Sequence, residues 1–290
     1  MNNEIKYIKK GKCTLVEELN NKFIIKEKKE NSNIKGLFTF LESRGFNNFP
    51  LVIDDRKKDV NKYEYIEDTE YPIPQKATDL IKVVASLHAK TVYFKDVSED
   101  TYKDIYENII SNINYLDTYY NNLYNRFFKE RYMAPSHYLF MQNYTKIKSA
   151  INFSIKELDS WYEIVKKETS MRVCVVHNDL KIEHYLKKDK EVLVSWDKYV
   201  VDTPVLDLFK LYNNDKLKYN FKNILTIYES EFPLTNHEKK LLFVLISIPP
   251  KILFDKTEFE NTKYLGNNLE NVYKTEELIK PYYSENKEKE

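Results

Sequence analysis

The chain has 290 residues, with 46 Lys and Arg against 45 Asp and Glu, for a formal charge of +1. That length can bury a sizeable core as one large domain or two packed lobes, while the near-zero charge removes any global electrostatic case for nucleic acid or an anionic membrane as partner. Two cysteines, Cys13 and Cys174, fit neither CxxC nor Cys/His metal spacing, and MNNEIKYIKKGK lacks the apolar core of a signal peptide, so a reducing, cytoplasmic location is expected.

From Ile5 to Glu27 the sequence alternates in short bursts, IKYIKKGK, CTLVEEL and FIIKEK, which predicts three antiparallel strands. A helix follows over Ile34–Phe46, with Ile34, Leu37, Phe38 and Leu41 on one face and Gly45 as its stop. A strand pair around FPLVIDD and NKYEYIED then leads into the proline-bearing EYPIPQK, a connector over residues 69–76. These segments predict a β-rich lobe over residues 1–68.

Residues 77 to about 168 carry helical spacing throughout, in three runs led by Leu80, Ile105 and Ile147. One β interruption follows: Val173–Val176, then Tyr185-Leu186, a polar turn KKDK, and Val192–Trp196 ahead of Asp197. Helices resume after Pro204. The longest apolar run, Leu241–Phe254, is broken by Pro249-Pro250 and is too short to cross a bilayer, so it reads as a core helix ending at the prolines. A helical lobe over residues 77–284 and a charged tail over 285–290 complete the organisation, and no membrane segment is expected. The four glycines and 24 tyrosines, with many Lys, Asn and Ile, suggest an AT-rich bacterial genome.

Two aspartates, Asp179 and Asp197, are each expected to end a short apolar strand, with a hairpin between them bringing both carboxylates to one sheet edge. Paired carboxylates suit deprotonation of a hydroxyl and the holding of magnesium, which prefers hard oxygen ligands and bridges them to phosphate. Trp196 and His88 are expected in the core. The tyrosines of DTYYNNLYNRFF have no basic stripe beside them, so they read as helix packing rather than a nucleic-acid platform.

HNDLKIEH, LVSWDK and DTPVLDL resemble the catalytic segment of the aminoglycoside phosphotransferase and choline kinase-like families, which reads H-x-D-x-x-x-x-N, an apolar strand ending in D, then D-x-x-x-x-D-L. KVVASLHAKT is similar to the helix of these families that ends in a Leu-His pair, and NKFIIKE to the strand carrying a phosphate-binding lysine. FTFLESRGFNNFP is similar to the branch with bacterial spore-coat kinase-like proteins. The resemblance implies an α+β, two-lobed protein-kinase-like fold that uses ATP or GTP with Mg2+ to phosphorylate a hydroxyl of a small molecule. It makes Asp179 the base or orienter, Asp197 the magnesium ligand, His177 a structural residue of the catalytic loop, Asp207 the anchor of that loop, and Lys26 the contact to the α- and β-phosphates.

Three departures stand beside it. His184 occupies the position of the expected asparagine, and an imidazole suits softer metals better than magnesium, so either one metal suffices or metal binding is damaged. Gly11 is the lone glycine in the KKGKC turn, and the helix from Ile34 has no glutamate in its first turns, Glu30 lying before it and Glu42 near its end. These departures leave open a pseudokinase, a degenerate kinase-like binding or assembly module with a protein partner and a role in sporulation.

Overall fold

The computed structural model describes residues 5–10, 13–18, 21–28, 33–54 and 59–284. Gly11, Glu30 and the tail 285–290 lie outside the described residues. By its contacts the chain divides into two compact units. One takes in residues 1–92, 174–219 and 224–232, the other residues 93–173, 220–223 and 233–290.

In the first unit the N-terminal bursts form β1 (Ile5–Lys10), β2 (Cys13–Glu18) and β3 (Asn21–Glu27), paired antiparallel in sequence order. After α1 (Ile34–Ser43), β4 (Val52–Asp54) and β5 (Val60–Glu64) extend the sheet to the order β1-β2-β3-β5-β4. Val16 and Phe23, paired across β2 and β3, are buried on one face of the sheet and Leu15 is buried on the other, and Lys26 on β3 stands between Cys13 of β2 and Asn61 of β5. Helix α1 is capped by Asn33, whose side chain accepts from the Gly36 amide at 2.9 Å, and it buries the four predicted residues Ile34, Leu37, Phe38 and Leu41. It stops where Gly45 takes φ +75°, a left-handed conformation open to glycine.

Phe38 of α1 stacks on Phe49 at 4.4 Å and meets the edge of Trp196 at 6.0 Å, while Phe46 meets Trp196 at 6.3 Å. The Trp196 indole donates to the Leu193 carbonyl at 2.7 Å, so its one polar atom is satisfied in the core. This cluster fixes the segment that carries Asp197 to α1.

Helix α2 (Ile73–Thr91) begins inside the proline-bearing stretch. Pro74 lies in its first turn, where a missing N–H costs nothing and the fixed φ suits the helix. Its buried face includes Leu80, Val84, Leu87 and His88.

The second unit opens with β6 (Tyr93–Asp96), where helix was expected. All four of its residues are exposed, so no buried periodicity could mark it, and its structure comes from pairing with residues 170–173 of β7 (Ser170–Val176). Helices α3 (Glu99–Phe127) and α4 (Pro135–Val165) follow. Helix α4 packs against α3 and two later helices of this unit, burying Tyr120, Phe127, Phe140, Ile151, Leu158 and Trp161.

Back in the first unit, β8 (Tyr185–Lys187) and β9 (Glu191–Leu193) make a two-stranded hairpin, and β10 (Val200–Asp202) pairs with Cys174–Val176 of β7. The strand expected to run to Trp196 ends at Leu193. Ser195 turns left-handed, at φ 69°, and Trp196–Lys198 form a single 3₁₀ turn, so Asp197 sits on that turn rather than at a strand end. Helices α5 (Val205–Asp215) and α6 (Phe221–Glu231) follow. The second unit closes with α7 (Asn236–Ser247) and α8 (Glu258–Ser284), both packed on α4. Helix α7 starts at a reciprocal Thr235/Glu238 capping box and ends just before Pro249-Pro250, as the sequence predicts. No helix among the described residues is long and apolar enough to cross a membrane.

Replacing Trp196 removes the side chain on which Phe38, Phe46 and His177 converge. Trp196→Ala is expected to cost about 3–5 kcal/mol of unfolding free energy, read from urea titration of the intact chain. A loss below ~1 kcal/mol would show that the cluster does not hold the turn.

Candidate functional site

The site grows from the end of β7. Its buried run Val173–Val176 stops at His177, where the chain leaves the sheet and its backbone amides lose their ladder partners. Asp207, fully buried in the first turn of α5, supplies them. Its Oδ2 accepts from the His177 amide at 2.8 Å and its Oδ1 from the Asn178 amide at 2.7 Å. The Nε2 of His88, on α2, reaches the same carboxylate at 3.1 Å, and Nδ1 of that ring shares a 2.7 Å hydrogen bond with the Tyr228 hydroxyl of α6. A buried carboxylate needs such a set of partners, since burial without them is costly.

The other end of α5 holds the other end of the loop. Asp215 accepts from the Ile182 amide at 2.9 Å, and the Asn214 side chain donates to the Leu180 carbonyl at 2.8 Å. Between these anchors Asn178 adopts φ 58°, a region that asparagine tolerates better than most residues, and its side chain donates to the Lys198 carbonyl at 3.1 Å. The loop of residues 177–182 is thus strung along one helix and tied to the 3₁₀ turn.

His177 donates from Nε2 to the Val194 carbonyl at 2.8 Å and lies edge-on to Trp196 at 5.0 Å. Its Nδ1 is buried and has no hydrogen-bond partner. His184 donates from Nδ1 to the carbonyl of Asp179 at 2.7 Å, and its own carbonyl accepts from the Val194 amide at 2.9 Å. Burial pushes both imidazoles below their usual pKa, and for His184 the neighbouring His177 adds to the effect.

The carboxylates each meet an ammonium. Lys26 of β3 hydrogen-bonds directly to Asp197, and Lys198 lies 3.0 Å from Asp179. Burial opposes ionisation of Asp179, but the hydrogen bond and charge of Lys198 outweigh it and hold the carboxyl below its usual pKa. No acidic residue stands in the first turn of α1. Lys26, Asp179, Asp197, His177, His184 and Asp207 therefore all belong to the first unit, linked by direct contacts or through the 3₁₀ turn.

Sequence reasoning missed Lys198, which directly follows Asp197 and reads as one more surface lysine. It also missed Asn178, whose signal was an αL-tolerant residue between His177 and Asp179, and the anchors Asn214 and Asp215, which share the helix of Asp207.

Among the described residues no group of three or more His, Cys, Asp and Glu could hold a metal ion. Magnesium bound with a nucleotide needs less, since it keeps several waters and takes one or two carboxylates besides phosphate oxygens. Asp197 fits that requirement. His184 does not fit a second such ion, because its ring offers no oxygen and its Nδ1 is committed to the Asp179 carbonyl.

The two depressed histidines have a consequence in acid. Below about pH 6.5, the ordinary histidine value, the unfolded chain binds protons that the folded chain refuses, so stability is present above that pH and is lost as pH falls through it. The unfolding free energy is expected to drop between pH 7 and 5.5, with a slope approaching ~1.4 kcal/mol per pH unit for each such histidine. His184→Asn should lessen the slope, and a flat profile for the unmodified chain would contradict burial of the neutral rings.

No family model matches this chain, and no curated protein matches it. Solved structures do. An aminoglycoside phosphotransferase from Alicyclobacillus acidocaldarius subsp. acidocaldarius superposes with a TM-score of 0.73 at 10% identity, over 95% of this chain and 92% of that one. The AMP-bound complex of spectinomycin phosphotransferase, APH(9)-Ia, gives a TM-score of 0.56 at 13% identity, over 93% of this chain and 92% of that one. Its complex with ADP and spectinomycin gives 0.52 at 14% identity, over 94% and 93%. These likenesses establish the fold: the chain has the α+β protein-kinase-like fold.

Proposed function

We propose that this chain is a kinase-like phosphotransferase that binds ATP or GTP with Mg2+ and passes the γ-phosphoryl group to a hydroxyl of a small molecule. One observation carries the reading. Lys26 and Asp197, 171 residues apart in the chain, meet directly, on a turn that Asn178 ties to the loop bearing Asp179. Phosphoryl transfer needs positioning and charge stabilisation more than covalent chemistry, and a lysine with two carboxylates on fixed loops supplies both. The solved relatives in fold include a spectinomycin phosphotransferase seen with AMP and with ADP, which supports a nucleotide site.

In this reading residues 1–68 form the nucleotide-binding lobe and the helical remainder carries the catalytic loop. Lys26 exchanges Asp197 for the α- and β-phosphates of the nucleotide. Asp197 would hold a magnesium ion, which would screen the phosphate charge. Asp179, ionised at neutral pH, accepts or orients the proton of the acceptor hydroxyl. Asp207 and His177 keep the loop in place without touching the reacting groups.

A second reading has its own observation. With no acidic residue in the first turn of α1, Lys26 has no helix partner there and neutralises Asp197 instead, while Lys198 neutralises Asp179. A pseudokinase that binds a protein partner would tolerate such a closed set of pairs.

Thermal shift with ATP and GTP, with and without Mg2+ or Mn2+, separates the outcomes. A nucleotide at 100 times its Kd stabilises by about 2.7 kcal/mol, or ~4 °C for a chain of this size. The shift is expected to require the metal and to disappear in Asp197→Ala. A metal-dependent shift without phosphorylated product from any hydroxyl acceptor favours the pseudokinase, and no shift with any nucleotide removes the phosphotransferase reading.

A further inference from the structure

The charges at the site point to a role for a residue so far described only as a partner. Asp197 pairs with Lys26 and Asp179 with Lys198, and the charge of Lys181, two residues after Asp179 on the loop, also acts on Asp179 from farther away. Lys26 stands where a nucleotide phosphate would be met. Lys198 is different: its Nζ sits 3.0 Å from Oδ1 of Asp179, the loop carboxylate, and its side chain is half exposed.

Its placement is built rather than incidental. The Lys198 backbone ends the 3₁₀ turn Trp196–Lys198, and its carbonyl accepts the Asn178 side chain at 3.1 Å. Asn178 is itself held by Asp207 at 2.7 Å, and Trp196 is buried against α1. The stem of Lys198 therefore leaves from a fixed point one residue from Asp197 and one hydrogen bond from the loop that carries Asp179.

Kinases bridge the nucleotide phosphates with two magnesium ions, one held by the aspartate after the hairpin and one by the asparagine at the end of the catalytic loop. Here the residue at that second position, His184, spends Nδ1 on the Asp179 carbonyl at 2.7 Å and offers no oxygen. A positive charge in contact with Asp179 balances its carboxylate and would offset phosphates arriving next to it, and Lys198, at 3.0 Å, makes that contact where Lys181 acts only through its charge. An ammonium meets that need without any ligand shell.

We propose that Lys198 replaces the second metal ion, so that the nucleotide complex of this chain carries one divalent cation, at Asp197, and an ammonium at Asp179. Lys198 is a positioning residue acting through Asp179, and His184 is a strut of the loop. This inference rests on the nucleotide-binding reading above.

The test counts metal ions. The full chain is saturated with the non-hydrolysable ATP analogue AMPPNP and titrated with Mn2+, and bound Mn2+ is read by electron paramagnetic resonance. One Mn2+ per nucleotide is expected for the unmodified chain and for His184→Asn, in which Lys198 still occupies the place. Two are expected for H184N/K198M, where an oxygen donor is restored and the ammonium is gone, and a return to one for H184N/K198R. A second Mn2+ in the unmodified chain or in His184→Asn would overturn the proposal, and 14N coupling would show the ring of His184 holding it. Failure of H184N/K198M, folded and binding AMPPNP, to take a second ion would overturn it equally. If AMPPNP binds the unmodified chain neither with nor without Mn2+, the nucleotide reading itself fails and this inference falls with it.

Discussion

The organisation of the site depends on one buried carboxylate. Where β7 ends, two consecutive amides would be left inside the protein without partners, and Asp207 accepts both, through separate oxygens. A carboxylate buried in that position is tolerable because it is met by the two amides and by Nε2 of His88, with Tyr228 behind that ring. The carboxylate thereby sets the direction in which the chain leaves the sheet. Asn178 can then take its left-handed turn and reach Lys198, and Asp179 comes to stand beside that lysine. Removal of Asp207 would expose two orphan amides at once, which ties the loop geometry to the folding energy of the unit.

A second constraint follows from charge. Asp179 and Asp197 are partly buried acids on a turn and a loop tied together, and each is compensated by a lysine from a different element, β3 for Asp197 and the 3₁₀ turn for Asp179. Partial burial makes these pairs stronger than pairs on an open surface, and it also means that a phosphate arriving at Lys26 competes with a real partner. In the proposed function the same feature that stabilises the nucleotide-free chain would set the cost of binding, and metal and phosphate affinity would be coupled at Asp197, because the ion and Lys26 would seek the same carboxylate.

Much of this was legible in the residues. Amphipathic spacing marked the faces of α1 and α2, and the alternation before Glu27 marked three strands, because each element buries one side against a core. The series Asp179, Asp197, Asp207 stood out through its resemblance to the catalytic segment of the phosphotransferase families, and what the structure adds is the set of hydrogen bonds from Asp207 to the amides of His177 and Asn178. The shortest strands were not visible. β6 buries none of its residues and β10 has three, so both exist through pairing with β7 and leave no pattern of their own. The strand expected to reach Trp196 stops early because Ser195 adopts a conformation that serine seldom takes, and no local signal announces it. Lys198 was invisible for a different reason: a lysine in a chain with many lysines acquires meaning only from the carboxylate that the fold sets 3.0 Å away.

The claim at the centre is that Lys26 marks a nucleotide site, and an acyl-phosphate derivative of ATP tests it most directly. Such a reagent transfers its acyl group to a lysine amine lying beside the bound phosphates, and the modified residue is found by peptide mass spectrometry. Acylation concentrated on Lys26 and suppressed by excess ATP is the predicted result. Modification spread over exposed lysines, indifferent to ATP and sparing Lys26, would contradict it.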